Sequence, residues 1–310
     1  MKVLVTGADG FVGGWLARAL LDAGHAVAGT RGPDGVSSRV LTGDEQARID
    51  WRPLDLSASD SVRSAVRGSW DAVVHLAAVA SGGEARRDPG LAWNVNAAGT
   101  ARLAEALVGG NPLLLLVSTG EVYGQGSGVP RREDDRVAPC SPYAASKAGA
   151  ELAAQEAARR DGLRVIVARP FPHTGPGQDG RFVVPALAAR LTLAHRIGAA
   201  AINTGNLEPV RDLLDVRDVV TAYLALLSHG RAGETYNVAS GQGHRLADVL
   251  AAMQRLLGSR VIAEYDPALA RRSDILHLVG DAGRLRDATG WTPRIPLDQT
   301  LQDLLDAQTD

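Results

Sequence analysis

The chain has 310 residues, 45% of them hydrophobic, enough to bury a sizeable core in one large or two closely joined α/β domains. Its 33 basic and 35 acidic residues leave a formal charge of -2, so no overall field grips nucleic acid or an anionic membrane surface. A single cysteine, Cys140, excludes an internal disulfide framework and a cysteine metal cage; no metal site is expected.

Met1-Lys2-Val3-Leu4-Val5-Thr6 runs straight into a glycine loop, without the charged and apolar regions of a signal peptide, so a cytoplasmic location is expected. The apolar run Leu113–Val117 is too short to cross a bilayer and reads as a buried parallel strand. Short β-rich runs at 2–6, 26–29, 71–76, 113–117 and 164–168 alternate with helical stretches at 15–23, 92–108 and 142–160. Such alternation predicts right-handed βαβ units and a doubly wound parallel sheet of the Rossmann type. From Arg169 onward Pro170, Pro172, Gly175, Pro176 and Gly177 crowd one loop, which marks a boundary. Residues 1–170 are therefore expected to form a nucleotide-binding domain, onto which later segments near 211–238 pack. Residues 171–310 are expected to form a smaller C-terminal domain that holds substrate. Its predicted helices lie near 183–195, 216–227, 246–257 and 297–307, and its strands near 201–204 and 235–238.

Gly7-Ala8-Asp9-Gly10-Phe11-Val12-Gly13 follows the first strand and opens a helix, the context that a dinucleotide fingerprint requires. Glycines at 7, 10 and 13 let the backbone turn tightly and approach a pyrophosphate, with Phe11 and Val12 lining the loop. The second strand ends Ala28-Gly29-Thr30-Arg31. NAD sites usually place a carboxylate there, whereas Arg31 suits the 2′-phosphate of NADP, and no acid follows before Asp34. NADP(H) is favoured, with NAD(H) the alternative. Asp55 and Leu56 end a third short strand, where the carboxylate faces an adenine amino group. Leu76, Ala77 and Ala78 follow His75 at the end of the fourth and let a cofactor pass close. Asn96, on a helix, organises backbone and water near such a site.

Tyr143 and Lys147 lie four apart at the start of a helix marked by Ser141 and Pro142, hence on one face. Taken alone, such a pair is a surface contact; downstream of a dinucleotide loop it is a catalytic pair. The Lys147 ammonium is expected to draw the Tyr143 phenol down toward working range. A third member, a hydroxyl ending the preceding strand, comes from Ser118 or Thr119.

The glycine loop, Val117-Ser118-Thr119-Gly120-Glu121-Val122-Tyr123-Gly124 and Tyr143-x-x-x-Lys147 resemble the extended short-chain dehydrogenase/reductases that act on nucleotide sugars, over essentially the whole chain. The resemblance implies a catalytic hydroxyl at Thr119 rather than Ser118, with Glu121 beside it as a further catalytic residue that contacts substrate. Sugar 4,6-dehydratases of that family carry Asp and then Glu after this position; here Gly120 takes the place of the Asp. The segments 169–178, 211–218 and 266–281 look most like the GDP-mannose branch, in particular GDP-4-keto-6-deoxy-D-mannose reductases. That likeness implies a GDP-hexose substrate whose pyrophosphate is held by Arg211 and Arg271, with Asp274 nearby, and a homodimer. Pro172 stands where the family often has Asn. A nucleotide-sugar 4-epimerase is the alternative enzyme, and an NADP-binding regulatory module is the alternative of another class.

Overall fold

A computed structural model describes residues 1–33, 38–126, 128–270 and 275–308. Seven strands build its central sheet: β1 (Lys2–Thr6), β2 (Ala26–Arg31), β3 (Asp50–Pro53), β4 (Ala72–His75), β5 (Leu113–Val117), β6 (Arg164–Pro170) and β7 (Thr235–Val238). They lie in the order β7-β6-β5-β4-β1-β2-β3, every neighbouring pair parallel. The apolar runs follow from burial on both faces: Val3 and Val5 enter one core while Leu4 enters the other. The order reverses between β1 and β4, where Thr6 pairs with His75. A crevice opens at this carboxyl edge, the usual binding place in such sheets.

Among the described residues, the seven α-helices of nine residues or more complete the framework: α1 (Phe11–Asp22), α2 (Gly99–Leu107), α3 (Pro142–Asp161), α4 (Val183–Ile197), α5 (Val216–His229), α6 (Leu246–Leu257) and α7 (Leu297–Asp306). Leu16 and Leu20 of α1 and Val219 and Tyr223 of α5 cover one sheet face. Leu103 of α2 and Ala154 of α3 cover the other. Leu187 and Leu191 of α4, Leu250 and Met253 of α6 and Leu301 and Leu304 of α7 form a further core.

Three expectations shift. The first helix starts at Phe11, not at residue 15, because Gly13 and Gly14, poor helix formers, are required by packing: a Cβ on Gly13 would lie 2.0 Å from the Gly7 carbonyl. The single helix expected over 92–108 is a short helix Pro89–Ala92, a π-helical stretch Trp93–Ala98, and α2. Asp55 and Leu56 lie past the end of β3 at Pro53. Of residues 211–238, Thr235–Val238 joins the sheet as β7, α5 packs beneath it, and Val210–Asp212 pairs elsewhere, with Gly243–Arg245 and His277–Leu278.

Candidate active site

The glycine loop makes a cradle that side chains would fill. Gly7 has φ +70°, and a Cβ there would meet Ala77 backbone at 3.0 Å. Gly10 caps α1 without any side-chain hydrogen bond, leaving the helix N-terminus to a phosphate. Thr6, at the end of β1, accepts from the N–H groups of Leu76 (3.2 Å) and Ala77 (3.1 Å) and so holds these residues and Ala78 beside the loop. The residues fit a dinucleotide.

Arg31 is the last residue of β2. Its guanidinium lies 3.9 Å from the Trp51 ring and donates to Gln46 Oε1 at 3.4 Å; its Nε is buried with no partner among the described residues. A carboxylate missed in the sequence stands beside it: Asp9 Oδ2 accepts from Gly32 N at 3.4 Å. Asp55 spends Oδ1 on the N–H (2.8 Å) and hydroxyl (2.6 Å) of Ser57, which hold its carboxyl below the usual range. Leu56 packs against Gly99 at the start of α2.

Behind the crevice runs a buried chain of hydrogen bonds. Thr100 donates to Asn96 O at 2.6 Å, so its oxygen accepts from His75 Nε2 at 3.1 Å. His75 Nδ1 then accepts from the Thr6 hydroxyl at 2.8 Å. Burial and the neighbouring Lys147 cation push His75 down to about 3, so the ring is neutral. Asn96, placed by the π-helical stretch, accepts from Val79 N (2.8 Å) and donates to Val79 O (3.1 Å) and Ser146 Oγ (2.9 Å). Ser146 donates to Tyr143 O at 2.8 Å, tying the loop after β4 to the first turn of α3.

That turn starts where Ser141 caps Ala144 N and Pro142 occupies the first helical position, and it carries Tyr143 and Lys147 into the crevice. Thr119 hydrogen-bonds the Tyr143 phenol. It also accepts from Glu121 N at 3.2 Å, which fixes the turn Gly120–Tyr123. Ser118 points away: its hydroxyl donates to Glu151 at 2.5 Å. The expected lowering of the phenol by Lys147 is not found. Burial pushes Tyr143 up and the Glu121 charge adds to it, with Thr119 pulling back, so the phenol keeps its proton. Lys147, 4% exposed, is drawn down to about 8 by burial, while Glu151 one turn further on opposes the shift. Glu151 is itself held by Arg169 in a two-pronged pair of 2.7 and 3.0 Å. Its spacing of four from Lys147 was the signal that could have found it.

Gly120 has a structural reason. A Cβ there would sit 3.0–3.1 Å from three ring carbons of Phe171, which is 1% exposed. Pro172 follows Phe171, and its carbonyl accepts from Leu214 N at 3.0 Å. His173, also missed, stacks on Phe11 of the glycine loop with ring centres 6.5 Å apart, and its Nδ1 is 2.9 Å from Phe171 O. Arg211, on the Val210–Asp212 strand, donates to Val210 O at 2.9 Å. The neighbouring acids are engaged elsewhere. Asp212 accepts from Ser240, Gly241 and Gly280, and Asp215 caps α5 and holds Arg217 and Thr300. Arg271 and Asp274 lie outside the described residues.

Comparison with known proteins agrees with this geometry. The chain is 35% identical to a GDP-6-deoxy-D-mannose reductase of Pseudomonas aeruginosa, covering 98% of this chain and 96% of that protein. It is 30% identical to a UDP-glucose 4-epimerase of Mycolicibacterium smegmatis, over 96% and 95%. Among solved structures, RMD from Pseudomonas aeruginosa complexed with NADPH superposes with a TM-score of 0.83 at 33% identity, over 99% of both chains. A Thermus thermophilus UDP-glucose 4-epimerase in complex with NAD gives 0.88 at 29% identity, over 100% and 99%. Residues 3–239 match the model of the NAD dependent epimerase/dehydratase family, and the chain belongs to that family.

Proposed function

We propose that the protein is an NADPH-dependent oxidoreductase that reduces the C4 ketone of a 4-keto-6-deoxy-hexose nucleotide, GDP-linked, in the cytoplasm. NADP(H) is its favoured cofactor and NAD(H) a second one. The observation that carries the reading is a Tyr143 phenol hydrogen-bonded with the Thr119 hydroxyl one helical turn before the buried Lys147. A ketone reduction needs an acid at this position, whereas an alcohol oxidation begins with a base.

The cofactor, when bound, supplies the hydride for C4. Tyr143 gives its hydroxyl proton to the C4 oxygen as charge develops there, and Thr119 donates a hydrogen bond to the same oxygen. Lys147 then faces the new phenolate with its ammonium, and a proton from solvent restores Tyr143. Neutral His75 leaves Lys147 as the cation of this pocket. Glu121 borders the substrate beside Tyr143, and Arg211, Arg271 and Asp274 serve the sugar nucleotide, the two guanidiniums taking its pyrophosphate. Gly120 supplies no acid for dehydration, and Phe171 leaves no room for one.

Residues 1–170, with β7, serve as the nucleotide-binding domain in this reading, and 171–310 as the substrate domain. Exposed Leu91, Trp93 and Leu152, on the helical stretches before and after the catalytic turn, support a homodimer through these faces. No helix among the described residues is long and apolar enough to cross a membrane.

The test mixes the enzyme with NADPH and a GDP-4-keto-6-deoxy-hexose and follows nicotinamide absorbance. One cofactor oxidised per sugar reduced is expected. Flat absorbance, with UDP-galactose or GDP-mannose interconverting with its C4 epimer, transfers the assignment to a 4-epimerase.

A further inference from the structure

The glycine loop brings a carboxylate to the end of the cofactor cradle where a further anion would bind. Asp9 reaches across from the first βα turn to the residue after Arg31, and its Oδ2 accepts from Gly32 N at 3.4 Å. It lies close enough to Arg31 for the guanidinium charge to act on it. The contact adds little to folding: one hydrogen bond is long, and burial is the largest influence on the carboxyl, acting against its charge. Backbone N–H groups of Asp9 itself and Gly10 offset part of that penalty.

Arg31 is not free to swing toward whichever anion arrives. Its plane rests on Trp51, Gln46 holds one edge, and Trp51 is in turn anchored through Nε1 to Gln46 O at 2.9 Å. A 2′-phosphate reaching this guanidinium, whose buried Nε has no partner among the described residues, would share it with Asp9. The ribose hydroxyl of NAD meets no such repulsion and finds in the carboxylate an acceptor.

We propose that Asp9 is a cofactor-selectivity residue: its carboxylate opposes the 2′-phosphate at Arg31, weakens the preference for NADP(H), and lets the enzyme use NAD(H) as well. The proposal rests on the reading that Arg31 receives the 2′-phosphate.

Calorimetric titration of the full chain with NADP, NAD, adenosine 2′,5′-bisphosphate and AMP tests it without any turnover. Asp9→Asn keeps size and a hydrogen-bond acceptor while removing the charge. It should tighten NADP and the bisphosphate by about three- to tenfold, the range for losing one partly screened like charge nearby. NAD and AMP should stay within about twofold, a change of at most ~0.4 kcal/mol. Asp9→Ser, with its melting temperature recorded, guards against a folding defect in the first variant. Equal shifts for both ligands of a pair, or no tightening of NADP, overturn the proposal. Arg31→Ala separates the two layers of inference. If it leaves NADP affinity unchanged, the 2′-phosphate is not at Arg31 and the proposal falls with that reading. If it weakens NADP while Asp9→Asn does not tighten it, only the role of Asp9 falls.

Discussion

Gly120→Asp places the dehydratase acid back at its family position and asks whether this fold can accept it. The first new atom would meet three Phe171 ring carbons at 3.0–3.1 Å, and Phe171 is fully packed with Val122, Tyr123, Ala239 and Leu278. Such overpacking costs about 1–3 kcal/mol. A buried carboxyl without built-in partners adds about 1–3 kcal/mol more, even when it protonates. Together they should lower the melting temperature by roughly 3–9 °C for a chain of this size. Differential scanning fluorimetry measures that loss, and incubating the variant with GDP-mannose and NADP shows whether a keto-sugar forms. We expect destabilisation and no dehydratase activity. Phe171→Leu in the same chain should return part of the stability, so that the two changes together cost less than their sum. A Gly120→Asp protein as stable as the parent, whether or not Phe171 is changed, would refute the argument that Phe171 keeps position 120 a glycine.

Three further outcomes follow from the catalytic turn. Tyr143→Phe should leave NADPH affinity nearly intact and lower turnover by about two orders of magnitude or more; near-normal rates would remove the phenol from the chemistry. Lys147→Ala should weaken cofactor binding as well as turnover, the outcome expected of an ammonium that also meets the nicotinamide ribose; unchanged binding in a fluorescence titration would contradict that role. His75 predicts a pH effect. Its folded value near 3 lies below the unfolded value near 6.5, so its contribution is fully present above pH 6.5 and is lost as acid approaches the folded value. By pH 5 this one ring should cost about 2 kcal/mol, and a His75→Gln protein should lose less stability between pH 7 and 5 in parallel denaturant melts. Identical slopes would show that the ring is not held neutral.

Much of this protein is written locally. Strand, glycine loop and helix follow one another without a break over residues 2–22, and the Tyr143/Lys147 spacing is set by a single helical turn, so short-range periodicity is enough to place them. Arg31 ends β2 for the same reason. Other features are invisible to spacing because their partners are remote. Asp9 gains its meaning from Gly32 and Arg31, twenty or more positions on, and Gly120 from a ring at Phe171. Ser118 and Thr119 are adjacent hydroxyls, just past the end of β5, that extended backbone sends to opposite sides, one to Glu151 and one to Tyr143. The phenol's charge state likewise follows from its surroundings, since burial and the Glu121 charge raise its pKa. Local sequence determined which groups exist and along which element they lie. Tertiary packing decided what faces them, and in a low-dielectric crevice it is the facing group that sets protonation, space and selectivity.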